Sequence, residues 1–437
     1  MIIKDVLYGQ FEIGGIFEQF VGTLAFARIA KISEFPFHEV NFIGVEHTEY
    51  EHALGVYRMA DLLSKKISSL AKYADLIRLA SLMHYSISRP FEEPTQRAEN
   101  NLGIEAEKSR YAALINHTDV KKIIINNNIE QLLLDAVDLN LSCYKKHRGI
   151  NALFNSIVGV KKLDYLPRDI YHAGYAYKYQ NFFENVLQLA SSYDFSNSEK
   201  MIIRDAAHLR RFLSAYHYMF AEVYLQRRKL TTEAMYENIY ESAILAGVVD
   251  PKQQCLPGSE GIPLFFRLDD ENQLDYLHTK ISGSKSFQHK VEALNLIERI
   301  QLKEPYDAIV RKRLTENMAD VLYKRSMRES LKNEILSEFN IDNPYAVLLY
   351  SPMSEINSQL HKPSNYDVFI EDNVCLMSSE ATQVADYFSD WSDMQYLYVY
   401  ADANQSEFES DVSKDTINSI INSFINRHDN IGGCTNV

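Results

Sequence analysis

The sequence predicts a mainly α fold, in which a helical body precedes a small C-terminal α+β subdomain. Glycine (16) and proline (11) are scarce among the 437 residues, which suits long helices with few breaks. Apolar residues recur at three- and four-residue steps over most of the body, the spacing of one helix face. After Pro344 the pattern changes to short runs rich in β-branched and aromatic residues, as in strands.

The helices of the body follow from this spacing in chain order. From Ile13 to Lys31, Phe17, Phe20 and Leu24 share one face, which predicts a first helix. Further helices are predicted over Tyr57–Leu70, Asp75–Met83, Glu105–Ile115, Ile129–Ala136, Met201–Gln226, Thr231–Leu245 and Val291–Ile300. Turn-like stretches separate them at residues 33–41, 88–94, 250–263 and 340–345.

The C-terminal part is predicted to contain strands and one helix. The strands are expected over residues 346–351, 367–372, 373–378 and 395–402. Beyond Asp402 the chain is polar, with an amphipathic helix near Asp415–Arg427. The predicted units are therefore a helical domain over residues 1–335, an α+β subdomain over 336–402, and a polar tail with one helix over 403–437.

Composition excludes several classes of protein. The 59 acidic side chains outnumber the 45 basic ones and give a net charge of −14, so a nucleic-acid polymer is not an expected partner. No run approaches the ~18 apolar residues of a membrane helix, so no membrane partner is expected. The four cysteines form no CxxC pair, which predicts a reducing cytoplasm and no zinc site.

Three segments carry the residue types of a functional site. They are His47-Thr48-Glu49-Tyr50-Glu51-His52-Ala53-Leu54-Gly55-Val56, then Leu79-Ala80-Ser81-Leu82-Met83-His84-Tyr85, then Lys161 to Gly174, which reads KKLDYLPRDIYHAG. Core motifs are thus expected within residues 47–56, 79–91 and 158–174. A single histidine on a helix is usually a core residue, but three such segments in order predict one shared site.

These segments resemble the HD-domain phosphohydrolases, specifically the deoxynucleoside triphosphate triphosphohydrolase (dNTPase) branch. The D-x-v-h-G segment of that branch is matched by Asp5 to Gly9, and its H-T-R-F-E-H-S-L-G-V segment by HTEYEHALGV. Its R-M-D-Y-x-x-R-D segment is matched by KLDYLPRD, and its F-x-x-l-D-D segment by Phe266 to Asp270. The resemblance spans roughly residues 1–330 and implies a helical HD domain and a homo-oligomer, either a dimer or a tetramer.

The resemblance also implies that the metal site is degenerate. Relatives bind a divalent ion through a first His, a His-Asp pair and a distant Asp, and these positions hold His52, His84, Tyr85 and Lys161 here. Hard ions prefer anionic oxygen ligands, and a lysine repels them. His52 and His84 are thus expected to be remnants of a metal site, and no cofactor is expected. If the chain is active, Mg, Mn, Fe or Zn would be held by His52, His84 and Asp164.

Other positions favour a ligand without catalysis. Tyr165 and Asp169 align with residues that hold the nucleotide sugar in relatives, and Lys162 with one that touches phosphate. Lys161 is expected to replace the charge of the metal beside a phosphate. With Arg168, these residues are the predicted (d)NTP-binding set. The alternative is that D-Y-x-x-R-D is kept for packing and an internal Asp–Arg pair.

Further departures concern the positions that hold catalytic residues in the relatives. The phosphate-contacting Arg of the first motif is Glu49 here, and Ile104-Glu105 is the nearest alignment to the catalytic His-Glu pair. The sequence therefore predicts a pseudoenzyme, a degenerate dNTPase-like protein that binds a nucleotide or a protein partner in a regulatory or defence role. One alternative is an active (d)NTP phosphohydrolase that releases triphosphate. Another is an oligomeric scaffold with an empty pocket.

Overall fold

A computed structural model describes residues 1–37, 42–258, 261–351, 368–370, 382–383, 396–401, 406–408 and 410–428. Most of these residues are helical. The helices are α1 (Gly15–Val21), α2 (Leu24–Ala27), α3 (Glu49–Lys66), α4 (Ala74–Ser86), α5 (Glu92–Asn101), α6 (Glu107–Asn116), α7 (Thr118–Asn127), α8 (Glu130–Asn140), α9 (Arg148–Asn155), α10 (Val160–His172), α11 (Phe182–Ser191), α12 (Ala206–Met219), α13 (Arg227–Leu245), α14 (Asp270–Gly283), α15 (Lys290–Gln301), α16 (Glu316–Tyr323), α17 (Arg325–Glu338) and α18 (Asp411–His428). The predicted mainly α class with a small α+β part is confirmed.

The strands form three small sheets. They are β1 (Ile2–Asp5), β2 (Gly9–Glu12), β3 (Tyr193–Asp194), β4 (Met201–Ile203), β5 (Asp307–Arg313), β6 (Val347–Tyr350), β7 (Val368–Ile370), β8 (Thr382–Gln383) and β9 (Tyr396–Ala401). The sheet orders are β1-β2, β3-β4-β7-β8 and β5-β9-β6. In the third sheet β9 is antiparallel to both neighbours. The predicted strand over residues 373–378 lies outside the described residues.

Two predicted helices are wrong in extent. The expected helix from Ile13 to Lys31 is divided after Val21, because Thr23 caps a new helix by accepting a hydrogen bond from the Phe26 N–H. The expected helix from Met201 to Gln226 begins with β4, whose Met201–Ile203 pairs with both β3 and β7. Its adjacent β-branched residues Ile202 and Ile203 are typical of a strand.

Two buried clusters hold the helices and sheets together. The larger cluster joins α1 to α4 and α6 to α12 with α16, α17, α18 and one face of the β5-β9-β6 sheet. The smaller cluster contains α13, α14 and α15, Ala98 of α5, and the tyrosines of β9, Tyr398 and Tyr400. β9 therefore lies between the clusters, with Val399 in one and its neighbouring tyrosines in the other, as expected for alternating strand residues.

The C-terminal elements are continuous with the body in their packing. Strand β5 comes from residues 307–313, which the predicted boundary at 335 places in the helical domain, and it pairs with β9 over six residue pairs. Ile417, Ile421 and Phe424 of α18 are fully buried in the larger cluster. Across the described ranges, no helix is both long enough and apolar enough to cross a membrane.

Candidate functional site

The predicted site residues surround a cavity of about 300 Å³ between α3, α4 and α10. His52 comes from α3, whose first turn is fixed by a capping box between Thr48 and Glu51. His84 and Tyr85 come from the last turn of α4, and Lys161, Lys162, Tyr165 and Asp169 from α10. All seven residues line the cavity. The three sequence segments therefore meet at one site.

Gly55 lets α3 and α10 approach each other closely. A Cβ atom at this position would lie 2.1 Å from Asp164 Oδ1 and 2.3 Å from Arg168 Nη2. The glycine of the first motif is thus required by the ion pair behind it, since any side chain would overlap that pair.

Both ring nitrogens of His52 are occupied. Nδ1 lies 2.6 Å from Asp164 Oδ2, and Nε2 lies 2.8 Å from the Tyr85 hydroxyl. Burial lowers the pKa of His52 in spite of Asp164 and raises the pKa of Tyr85 well above its usual value. Neutral His52 therefore donates from Nδ1 to the carboxylate and accepts from the Tyr85 O–H.

Asp164 is held on the far side by Arg168. The guanidinium donates to both carboxylate oxygens at 3.0 and 3.1 Å, and its remaining Nη1 donates to Asp5 at 2.9 Å. Burial alone would raise the pKa of Asp164, but Arg168 and His52 lower it to about 2. Arg168 is 1% exposed and does not line the cavity, unlike the other predicted ligand-binding residues.

This donor set does not fit the divalent ion that the resemblance implies. Tyr85 occupies the His52 nitrogen left free by Asp164, and Asp164 is directed at His52 and Arg168 rather than at His84. Among the residues that the structure describes, no group of three or more His, Cys, Asp or Glu side chains is arranged to hold a metal. The alternative set of His52, His84 and Asp164 thus does not converge on one point.

Lys161 places a cation in the cavity. Its Nζ lies 4.9 Å from the centre of the Phe154 ring, and within the described ranges it forms no ion pair. Burial, and then the neighbouring Lys162, lower its pKa to about 7. Burial and Lys161 in turn lower the pKa of His84 well below its usual value. The lysine is therefore poorly compensated by the protein and is suited to an anion.

The remaining predicted residues are engaged to different degrees. Lys162 Nζ lies 4.7 Å from the ring centre of Tyr165, a cation–π distance. Asp169 is 1% exposed and accepts from His47 at 2.9 Å and from the Tyr224 hydroxyl at 2.6 Å. The part of its D-Y-x-x-R-D motif that includes Arg168 and Asp169 thus has the internal partners expected under the packing alternative.

The structure adds an acidic wall that the sequence did not predict. It is formed by Glu34, Glu49, Glu92, Glu93 and Glu107. Burial raises the pKa of Glu49 to about 8 and that of Glu34 well above its usual value, and the two carboxyl groups lie side by side. Burial therefore favours the protonated, uncharged form of both carboxyl groups.

Some of these residues lie in a motif or turn-like stretch that is visible in the sequence. Glu49 is in the first motif, and Glu92 and Glu93 are in the turn-like stretch at 88–94. Glu107 lines the cavity, whereas Glu105, the nearest alignment to the catalytic Glu, does not. Glu34 is in the turn-like stretch at 33–41, but only the folded loop brings it close to His52.

Two further cations of the cavity are paired with carboxylates. Arg89 bonds to Glu92 and, at 3.0 Å, to Glu99. Lys229 lies 2.9 Å from Glu93 and 2.8 Å from Glu233. Lys229 is the one residue of the basic run Arg227-Arg228-Lys229 that lines the cavity, and it has protein partners.

The chain is similar to distant curated proteins in sequence and to a solved phosphohydrolase in fold. No family model matches it. A phosphohydrolase of Bacteroides thetaiotaomicron has the same fold, with a TM-score of 0.59 at 16% identity over 92% of this chain and 99% of that one.

Two proteins are similar to this chain in sequence. The chain is 24% identical to the uncharacterized protein MG461 homolog of Mycoplasma pneumoniae, over 62% of this chain and 69% of that protein. It is 21% identical to the deoxynucleoside triphosphate triphosphohydrolase SAMHD1 of Mus musculus, over 78% of this chain. The match spans 61% of the mouse protein.

Proposed function

We propose that this chain is a catalytically degenerate dNTP-triphosphohydrolase-like protein that binds the phosphates of a nucleotide at Lys161 and Lys162 without hydrolysing them. The observation that carries the proposal is Lys161 itself. It lines the cavity, forms no ion pair within 4 Å among the described residues, and has a pKa lowered to about 7 by burial and by Lys162, with Glu107 only partly opposing the shift. A bound phosphate would supply the missing counter-charge.

The loss of hydrolysis follows from the donor set. In metal-dependent hydrolysis the ion lowers the pKa of a bound water and polarises the phosphorus centre. Here Tyr85 and Lys161 stand at two ligand positions of the resemblance, and His52 has no free nitrogen. The residues of this cavity can bind and neutralise a phosphate, but they provide no site for the ion.

Thermal unfolding with dGTP, GTP and ATP tests binding. A ligand that binds only the folded state at 100 times its Kd stabilises that state by about 2.7 kcal/mol. Lys161→Met should lose this stabilisation, because it keeps the stem but removes the charge. Lys121→Met, at an exposed lysine of α7, is the control and should keep it.

Release of inorganic triphosphate with Mn²⁺ or Mg²⁺ tests the loss of catalysis. The wild-type chain should release none from a mixed dNTP and NTP panel. Robust turnover would show the active phosphohydrolase instead, and the absence of any thermal shift would favour the scaffold. The dimer or tetramer and a protein partner stay predictions, which light scattering and partner capture can check.

A further inference from the structure

The cationic side chains of the cavity differ in how far the protein compensates their charge. Among the described residues, the lysines and arginines that line the cavity are Arg89, Lys161, Lys162 and Lys229. Arg89 and Lys229 are each held by two carboxylates, and Lys162 lies over the ring of Tyr165. Lys161 forms no ion pair within the described ranges, so a bound anion is most needed at this lysine.

Two glutamates of the cavity lie near these lysines and limit the negative charge that they can accept. Burial raises the pKa of Glu107, but neighbouring cations that include Lys161 favour its ionised form. The pKa of Glu93 is lowered, because Lys229 and Lys162 are among the cations that outweigh its burial. An anion placed at Lys161 and Lys162 therefore has carboxylates beside it, and these repel any charge beyond that of one phosphate group.

The size of the cavity favours a small ligand as well. Its volume of about 300 Å³ is at the lower end of the roughly 300–1,000 Å³ that is usual for ligand pockets. A triphosphate is also most often bound together with Mg²⁺, which bridges its phosphates and neutralises part of their charge. The donor set around His52 does not fit such an ion.

These charges and this volume define how many phosphate groups the ligand carries. We infer that the cavity selects a nucleoside monophosphate over the corresponding triphosphate, with its single phosphate against Lys161 and Lys162. Each further phosphate group would add negative charge beside Glu93 and Glu107, without a further cation that lacks a protein partner to compensate it. This inference rests on the proposed function, which places a nucleotide phosphate at Lys161.

The series dGMP, dGDP and dGTP tests the inference, since these nucleotides differ only in the number of phosphate groups. In calorimetric titration of the whole chain with EDTA present, the affinity should fall with each added phosphate. The monophosphate should bind at least about tenfold more tightly than the triphosphate, the order expected for repulsion between nearby charges. Glu107→Gln should reduce this ratio by about threefold or more, because it removes one repelling charge and keeps the shape. Glu130→Gln is the matched control and should keep the ratio, since Glu130 is exposed and also begins a helix but does not line the cavity.

The outcomes separate the inference from the proposed function. Binding of dGTP as tight as that of dGMP, or tighter, would overturn the inference and leave phosphate binding intact, whereas binding of none of the three would overturn both. A ratio that is unchanged in Glu107→Gln would also overturn the inference. If Glu107→Gln does not fold, as judged by circular dichroism, the graded loss of affinity from dGMP to dGTP in the wild-type chain remains the test, and the absence of that gradient overturns the inference.

Discussion

At the scale of residues, the site depends on a buried series of hydrogen-bonded side chains behind the cavity. Tyr85, His52, Asp164 and Arg168 form consecutive hydrogen bonds, and each is at most 4% exposed. Because a low-dielectric interior strengthens such bonds and penalises a missing partner, single changes in this chain should have large effects.

Tyr85→Phe removes the hydroxyl that donates to His52 Nε2. The ring nitrogen is then buried without a partner, so the free energy of unfolding should fall by about 1–3 kcal/mol. Urea denaturation measures this change. Tyr111→Phe is the matched control, because the Tyr111 hydroxyl is buried with no hydrogen-bond partner, and its loss should be near neutral. Equal losses in the two variants would contradict the role of the Tyr85 hydroxyl.

Gly55→Ala introduces a methyl group where Asp164 and Arg168 already lie. The ion pair must separate or α10 must move, so we expect a loss of about 3–5 kcal/mol, typical of breaking a buried pair. Thermal and urea unfolding check this value. Gly283→Ala is the control, since a Cβ there meets no atom within 4 Å. A loss at Gly55 as small as that of the control would show that the helices can separate freely.

At the scale of elements, Asp270 ties two loops to the start of α14. Its carboxylate accepts the Ser33 N–H and the Phe91 N–H, each at 2.8 Å. Ser33 begins the loop that carries Glu34, and Phe91 precedes α5. The placement of Glu34 in the acidic wall therefore depends on a residue that does not line the cavity.

The pKa of Asp270 gives this connection a pH dependence. Burial raises the pKa to about 7, although the two N–H groups oppose the rise. Because the folded value exceeds the unfolded one of about 3.9, the stabilising contribution is complete below pH 4 and is lost as the pH rises through 7. Asp270→Asn should therefore destabilise the protein more at pH 5 than at pH 8, as urea midpoints can show.

The control for this prediction is an aspartate on the same helix. Asp275 is exposed, and Asp275→Asn should change stability by the same small amount at both pH values. A difference between wild type and Asp270→Asn that does not change with pH would contradict the raised pKa.

The elements that the sequence predicts are those with a clean local pattern. Helix α15 agrees closely with the predicted Val291–Ile300, and α18 contains the predicted Asp415–Arg427. Helix α5 was missed because Pro94 resembles a break, although proline is tolerated in the first turn of a helix. Strand β5 was missed because Arg311 to Arg313 looks like a solvated basic cluster, and only pairing with β9 defines it.

The same distinction applies to the site. Lys161, Tyr85 and His52 could be placed by motif spacing, and all three line the cavity. The Glu34–Glu49 pair could not be predicted, because their proximity depends on a loop whose position is fixed by contacts more than 200 residues apart in sequence, such as that of Ser33 with Asp270. Local pattern therefore predicts the position of Lys161, and tertiary contacts bring Glu34 and Glu49 together.

At the scale of the whole molecule, the C-terminal helix α18 is part of the main core. Phe424 is fully buried within the larger cluster. Phe424→Ala should lower the free energy of unfolding by about 3–5 kcal/mol, the usual cost of a buried aromatic truncation. Val412→Ala, at a residue of the same helix that is 74% exposed, should change it by at most about 0.5 kcal/mol. Equal effects would mean that α18 is only loosely attached.

The position of α18 and β9 has a consequence for biosynthesis. Strand β5 pairs with residues about 90 positions later, and the larger cluster is closed by side chains as late as Ile425. A nascent chain therefore exposes the apolar surface that these segments cover until they leave the ribosome, and long-range pairing of this kind forms slowly. Ribosomes that stop before these codons would release a chain with an open, aggregation-prone core.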